Sequence, residues 1–335
     1  MPGSLRLIDL HTDWLLQYTP ETTVYDPSLY EGVSARLPQA DGYLQGTRAA
    51  ILSCYRRADD WAKQADPWAA LAALITRIEA EFPGRLLADR DDYIRFLDDP
   101  DGLCWGVIGI EGFDALVRSS ADLERLPQLF RRGVRLFQPS YMPSGGLAGC
   151  SQPGDDRGLT DLGRAFLEAL ADIGSVPEAP RPILDLAHLN PRSISEVLDW
   201  FEADEARPGR LLPAYSHGTP WHEGFDSPRA ITLDSLRRLR ALGGCIGMGV
   251  SPPFFQSRDQ VKAAIEQAAS LPFLGQPGYE GIAIGTDFLG VDQVLDGLGD
   301  VPAILAWLEA SFPAEVAALL IEGNARKLLT DMLRV

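Results

Sequence analysis

The sequence predicts a closed (β/α)8 barrel of the TIM type, an α/β fold, and three observations lead there. Eight short aliphatic runs alternate with longer segments whose apolar residues recur at helical spacing. The 335 residues are 46% hydrophobic and 23% charged, which fits one large soluble barrel with a substantial core and is unlike a disordered or fibrous chain. Side chains of metal-binding type stand just beyond several of the aliphatic runs, where a barrel places its chemistry. An open doubly wound sheet gives a similar alternation and is the competing architecture. No composition shift or internal repeat divides the chain, so residues 1–335 read as a single domain.

In chain order, the first strand is expected over Leu5–Leu10 and the second over Arg48–Ser53, followed by the amphipathic helix Pro67–Phe82 (PWAALAALITRIEAEF). The acidic run Asp89–Asp101 reads as a solvated helix and turn. Counted as a calcium loop around Gly102, it puts Leu97 and Ile108 where acidic ligands are needed. The third strand, Gly106–Ile110 (GVIGI), is apolar throughout and so looks buried on both faces. A helix over Ser120–Arg132 precedes the fourth strand, Val134–Phe137. The Gly- and Pro-rich stretch Pro143–Gly158 is the longest loop and, following a strand, belongs at the C-terminal mouth. Helices over Thr160–Ile173, Ser193–Glu202, Thr232–Leu242 and Ser257–Ser270 then separate strands over Ile183–Leu186, Leu212–Tyr215, Cys245–Gly249 and Ile282–Gly285. Gly243–Gly249 lacks G-x-G-x-x-G and runs into Pro252 and Pro253, which excludes a dinucleotide loop.

Thirty Lys and Arg against 47 Asp and Glu give a net charge of −17, which repels the phosphates of nucleic acids and anionic membranes. Neither is an expected partner, and the acidity serves solubility. Cys54, Cys104, Cys150 and Cys245 form no C-x-x-C pair and read as reduced thiols. The start of the chain, MPGSLRLIDLHTDW, lacks the apolar run of a signal peptide, and no later stretch could span a bilayer. A cytoplasmic protein is the expectation.

The chemistry centres on the few histidines. In Ile8-Asp9-Leu10-His11-Thr12-Asp13, a period of two puts Asp9, His11 and Asp13 on one face. Glu111, His188, His217 and Asp287 each follow an expected strand. In a barrel His11, Asp13, Glu111, His188, His217 and Asp287 converge on one mouth. Six ligands exceed one tetrahedral zinc, and a bridging carboxylate, best assigned to Glu111, points to two ions about 3.5–4 Å apart. Imidazoles beside carboxylates suit zinc better than calcium or magnesium. His222, in SHGTPWHEG, has no expected strand before it and reads as structural. Ser216 beside His217 is not a nucleophile and base, since strand neighbours point to opposite faces.

Over nearly its whole length the chain resembles the renal (membrane) dipeptidase family of metallopeptidases, M19, within the amidohydrolase-like barrels. The resemblance is carried in order by IDLHTD (Ile8–Asp13), GIEG (Gly109–Gly112), GVRLF (Gly133–Phe137), GLTDLG (Gly158–Gly163) and LDLAHLN (Leu184–Asn190). It continues with YSHG (Tyr215–Gly218), SPRAIT (Ser227–Thr232), GGCIGM (Gly243–Met248), IGTDFLG (Ile284–Gly290) and GNARKLL (Gly323–Leu329). It implies two Zn²⁺ per chain, with His11 and Asp13 on one, His188 and His217 on the other, and Glu111 bridging. Asp287 matches the aspartate that handles the proton beside the first ion, and Arg229 matches the arginine that binds a dipeptide's carboxylate.

The implied reaction is amide hydrolysis of dipeptides, with a D-residue at the C-terminal side among the candidates, by a metal-bridging hydroxide; the implied partners are a small-molecule substrate and, by resemblance only, a second copy in a homodimer. The family's histidine after the GVR strand is replaced: the stretch reads Gln138-Pro139-Ser140-Tyr141-Met142, so Tyr141 stands where that residue contacts the substrate carbonyl. A phenol donates a hydrogen bond but carries no positive charge. Two alternatives therefore stay open: an amidohydrolase acting on another small amide or secondary-metabolite intermediate, and a metal-retaining binding protein with impaired turnover.

Overall fold

The computed structural model describes residues 5–15, 42–56, 61–99, 102–141, 145–252, 254–291 and 294–335. Eight parallel strands pair, each with its successor: β1 (Leu7–Thr12), β2 (Thr47–Cys54), β3 (Trp105–Glu111), β4 (Val134–Gln138), β5 (Ile183–Asp185), β6 (Leu212–Pro220), β7 (Cys245–Met248) and β8 (Ile282–Ile284). The seam between β8 and β1 closes just past the strand ends. Thr12 bridges Phe288, the Asp287 N–H donates to the His11 carbonyl at 3.1 Å, and the Asp13 N–H donates to the Phe288 carbonyl at 3.0 Å. This is the (β/α)8 barrel, and the open sheet is excluded.

Every residue of these strands is buried, as expected for parallel strands covered on both faces. One apolar cluster takes residues from all eight strands, among them Ile8, Ile51, Val107, Leu136 and Ala283, together with Leu328 and Met332 of the last helix. It fills the barrel below the mouth. The outer helices present apolar stripes to the strands. Pro67–Glu81, for example, buries Leu71, Leu74, Ile75 and Ile78, and Asp66 caps it by accepting from the Trp68 and Ala69 N–H groups. The acidic run after it forms the helix Arg90–Asp98, with Asp89 and Asp92 engaged in a reciprocal capping box.

Several boundaries move. The helix expected over Ser120–Arg132 splits into a 3₁₀ turn, Ser120–Arg125, and a short helix, Leu126–Arg131. Pro127 lies in the first turn of the second piece, where its missing N–H costs nothing but where it cannot continue the preceding turn. Helices Val301–Ser311, Ala314–Ala318 and Asn324–Leu333 close the chain and had no counterpart in the sequence reading. β1 runs two residues further than expected, so His11 lies inside it.

β6 is the largest departure, continuing to Pro220 and pairing beyond β7's reach with a short strand, Ala230–Ile231. Its register against β7 breaks between Tyr215 and Gly218. There the Ser216 carbonyl swells inward: a Cβ on Gly247 would stand 1.7 Å from that oxygen, and one on Gly285 2.0 Å. Only glycine fits at these two positions, and the space they leave lets β6 carry His217 toward the barrel axis.

Candidate metal centre

The C-terminal mouth brings the six expected residues together. His11 Nε2 lies 3.3 Å from Glu111 Oε2, 3.8 Å from Asp13 Oδ1 and 3.8 Å from Asp287 Oδ1. On the other side, His188 Nε2 lies 3.0 Å from Glu111 Oε1, and His217 Nε2 lies 4.0 Å from the same oxygen. The two imidazoles are 3.0 Å apart at their Nε2 atoms. Among the described residues, three sets of ligand atoms lie close enough to share an ion: His11 with Asp13 and Glu111, Glu111 with His188 and His217, and His11 with Asp185 and His217. Glu111 belongs to the first two, facing His11 through Oε2 and His188 and His217 through Oε1.

The backbone here is strained. His188 and Asp287 adopt left-handed φ angles of 64° and 57° without being glycine, a conformation that costs on the order of 1–3 kcal/mol and that concentrates at working sites. Gly112, at φ 82°, turns the chain directly after Glu111 and lets Tyr141 approach, since a Cβ there would meet the Tyr141 Cβ at 3.0 Å.

Burial and charge divide the histidines. Burial alone would lower His11, but Glu111, Asp13 and Asp287 overcome it and push the imidazole up to about 10. His188 is lowered to about 4, by burial and then by Arg229, and His217 is held well below its ordinary value by burial and the neighbouring cations. Burial opposes the charge on Glu111, yet His11 and His188 outweigh it and hold the carboxyl well below its ordinary range. Burial first, then Glu111, raise Asp13. Asp287 is pushed up to about 6, chiefly by burial. The fit to a cation is direct: His11 Nε2 and Asp13 Oδ1 are buried polar atoms with no hydrogen-bond partner, beside a carboxylate already aimed at them.

Around this group stand residues the sequence reading did not single out. Ser53 Oγ donates to Glu111 Oε2 at 2.9 Å, and Gln138 Nε2 stands 3.5 Å from Glu111 Oε1, so each oxygen has a donor beside it. Asp9, expected on the same face as His11, turns instead to the β1–β8 seam. It accepts from Tyr43 Oη at 2.8 Å, Thr286 Oγ1 at 2.6 Å and the Thr286 N–H at 2.9 Å. The register of β1 against β2 shifts between Asp9 and Thr12, which breaks the strict alternation. The same correction applies to Ser216, whose Oγ does reach His217 Nδ1, at 2.8 Å, because of the swelling in β6. It is no nucleophile: it is 1% exposed and donates to Asp185 Oδ2 at 2.6 Å.

Arg229 reaches the rim of the centre. Its NH2 lies 3.0 Å from His188 Nε2, and its NH1 donates to Tyr215 Oη at 3.3 Å and the His217 carbonyl at 3.4 Å. Tyr141 packs its ring 4.3 Å from that of His188 and 4.6 Å from that of Tyr55. Burial, then the charge on Glu111, raise its phenol above the ordinary value. The loop over 145–158 lies at the mouth as expected, the Ser151 N–H donating to the His188 carbonyl at 2.7 Å. His222 stays outside the cluster, its ring stacked 5.6 Å from Phe225 and 5.1 Å from Phe255.

A parallel eight-stranded barrel with imidazoles and carboxylates gathered over its strand ends is the frame of an amidohydrolase-like metallohydrolase. Comparison with known proteins narrows the class: the family model described as membrane dipeptidase (peptidase family M19) matches residues 4–332, and the chain belongs to that family. Among curated proteins, the dipeptidase tcpJ of Claviceps purpurea is 26% identical over 239 residues, 70% of this chain and 49% of that protein. An uncharacterized dipeptidase of Schizosaccharomyces pombe is 25% identical over 233 residues, 65% of this chain and 51% of its own length. The matched region thus spans about half the length of these relatives. A metallopeptidase from Rhodobacter sphaeroides, solved with a phosphinate mimic of L-Ala-D-Ala, superposes with a TM-score of 0.73 at 18% identity, covering 98% of this chain and 100% of that one. An amidohydrolase from Pseudomonas aeruginosa gives 0.68 at 17%, covering 99% and 97%. At these identities the two structures share the fold with this chain. Among the described residues, no helix is long and apolar enough to cross a membrane.

Proposed function

We propose that the chain is a zinc-dependent dipeptidase holding two ions, one by His11, Asp13 and Glu111 and one by Glu111, His188 and His217, with Asp287 beside the first. The observation that carries this reading is Glu111, whose Oε2 faces His11 and whose Oε1 faces His188 and His217. Neutral imidazoles combined with carboxylates suit zinc, where an all-oxygen shell would suit magnesium or calcium. When bound, such a pair of ions lowers the pKa of a water between them and polarises the scissile carbonyl.

The remaining tasks fall to side chains. Arg229, a planar fork of donors at the rim, fixes the free carboxylate of the substrate's C-terminal residue, which favours short peptides with an open C-terminus. The Tyr141 phenol, kept protonated by its surroundings, donates to the carbonyl oxygen as negative charge develops there. Asp287, poised near 6, takes a proton from the attacking water and returns it to the leaving amine. A D-residue at the C-terminal side is part of the proposal, supported by the L-Ala-D-Ala mimic bound to the Rhodobacter sphaeroides protein.

The test is release of free amino acids from a panel of L,L- and L,D-dipeptides by the zinc-loaded protein. No release at any pH overturns the peptidase reading. A second reading, hydrolysis of a different small amide, is favoured by one feature, the Tyr55–Tyr141 ring pair packed against His188, and predicts turnover of non-peptide amides in the same assay.

A further inference from the structure

We infer that Asp185 and Ser216 are positioning residues that hold His217 as the tautomer protonated on Nδ1, leaving the Nε2 lone pair free for the candidate metal centre. The three side chains are 0%, 1% and 0% exposed, so no solvent competes for their protons. Asp185 Oδ1 accepts from the Ser216 N–H at 2.9 Å and the Ala187 N–H at 3.1 Å, and its Oδ2 accepts from Ser216 Oγ at 2.6 Å. A hydroxyl has one proton. With that proton on the carboxylate, Ser216 Oγ can meet His217 Nδ1, 2.8 Å away, only as an acceptor, so Nδ1 carries the hydrogen.

The arrangement is specific to this histidine. His11 Nδ1 and His188 Nδ1 have no hydrogen-bond partner, so among the described site imidazoles His217 alone has its remote nitrogen held by a side chain. The inward swelling of β6 makes the contact, and it depends on Gly247 and Gly285 leaving room for the Ser216 carbonyl. Orientation of a ligating imidazole through its second nitrogen is a general device of metal sites. Here a serine stands between the carboxylate and the ring.

Asp185→Asn is the discriminating variant because it keeps the shape and reverses the protons. The new amide oxygen still accepts from the two backbone N–H groups, while the NH₂ must donate to Ser216 Oγ. The hydroxyl proton then turns to His217 Nδ1, and His217 carries its hydrogen on Nε2. In metal-free protein labelled with ¹⁵N-histidine, long-range ¹H–¹⁵N spectra of the four histidines should show His217 protonated on Nδ1 in the parent and on Nε2 in Asp185→Asn. Zinc titration against a chromophoric chelator should then show one binding step weakened roughly 10–100-fold in Asp185→Asn and Ser216→Ala, and retained in Ser216→Thr.

Nε2 protonation in the parent, or an unchanged tautomer in Asp185→Asn, overturns the inference. So does a reversed tautomer with unchanged zinc affinity. If Asp185→Asn does not fold, Ser216→Ala and Ser216→Thr carry the same comparison. The role in metal binding rests on the two-ion reading above, but the tautomer is read without metal or substrate, so a protein that cleaved no dipeptide would still decide it.

Discussion

Removing the Glu111 side chain is the sharpest perturbation of this site, because two ligand groups share that one carboxylate. With Glu111, each group has three residues; in Glu111→Ala each has two. Binding of a structural zinc is worth roughly 10–16 kcal/mol, so one ligand of three carries on the order of 4 kcal/mol, about a thousandfold in affinity for each ion. Both ions should therefore be lost together. Elemental analysis after gel filtration should find about two zincs per chain in the parent and close to none in Glu111→Ala, whereas His188→Ala should give up one ion first. Glu111→Gln separates charge from packing, since its amide oxygen can still accept from Ser53. Far-ultraviolet circular dichroism controls for folding. A Glu111→Ala protein that keeps one ion at parental affinity would refute the sharing of the carboxylate and with it the two-ion arrangement.

Arg229→Ala should lower kcat/KM for dipeptides about 10–100-fold, mostly through KM, the loss expected for hydrogen bonds to a charged group; amidating the substrate's C-terminus should cost the parent as much and the variant nothing more. Tyr141→Phe should lower kcat about a hundredfold with KM little changed, and unaltered steady-state kinetics would remove the phenol from the reaction. Asp114, which ties the loop after β4 by accepting from Ser140 Oγ and the Gly145 N–H at 2.7 Å each, is pushed up by burial to about 6 from 3.8. The folded protein therefore holds a proton on Asp114 between those values that the unfolded chain has released, so stability rises as pH falls through 6 toward 3.8, by about 3 kcal/mol. Asp114→Asn keeps both hydrogen bonds and removes this term, so its stability advantage over the parent in urea denaturation should be larger at pH 8 than at pH 4.5; an equal gap at both would contradict it.

The barrel was legible because its strands are aliphatic runs buried on both faces, a signal that survives errors of two residues at each end. The six residues at the mouth were legible for a related reason: a histidine or carboxylate directly after such a run is chemically conspicuous. Ser53, Gln138, Asp185 and Ser216 were not, since a hydroxyl, an amide or a strand carboxylate has no distinguishing pattern until the neighbouring strand is known. The rule of alternating faces points Ser216 away from His217, and it fails where Gly247 and Gly285 admit the Ser216 carbonyl. The same rule puts Asp9 on one face with His11, whereas it belongs to the seam with Thr286. The closing helices from Val301 onward carry apolar stripes, but nothing in a single sequence said that Leu328 and Met332 would join the barrel's interior cluster.

The seam between β8 and β1 has a bearing on the order in which the site assembles. His11 and Asp287 meet across it, 3.8 Å apart, yet one lies on the first strand of the barrel and the other just beyond the last. An intermediate containing only the first seven strands would carry five of the six mouth residues and lack Asp287. On the proposed assignment the ligands of both ions lie on or directly after the first six strands, so Asp287, the group assigned the proton, is the last residue to join the site and arrives only with ring closure.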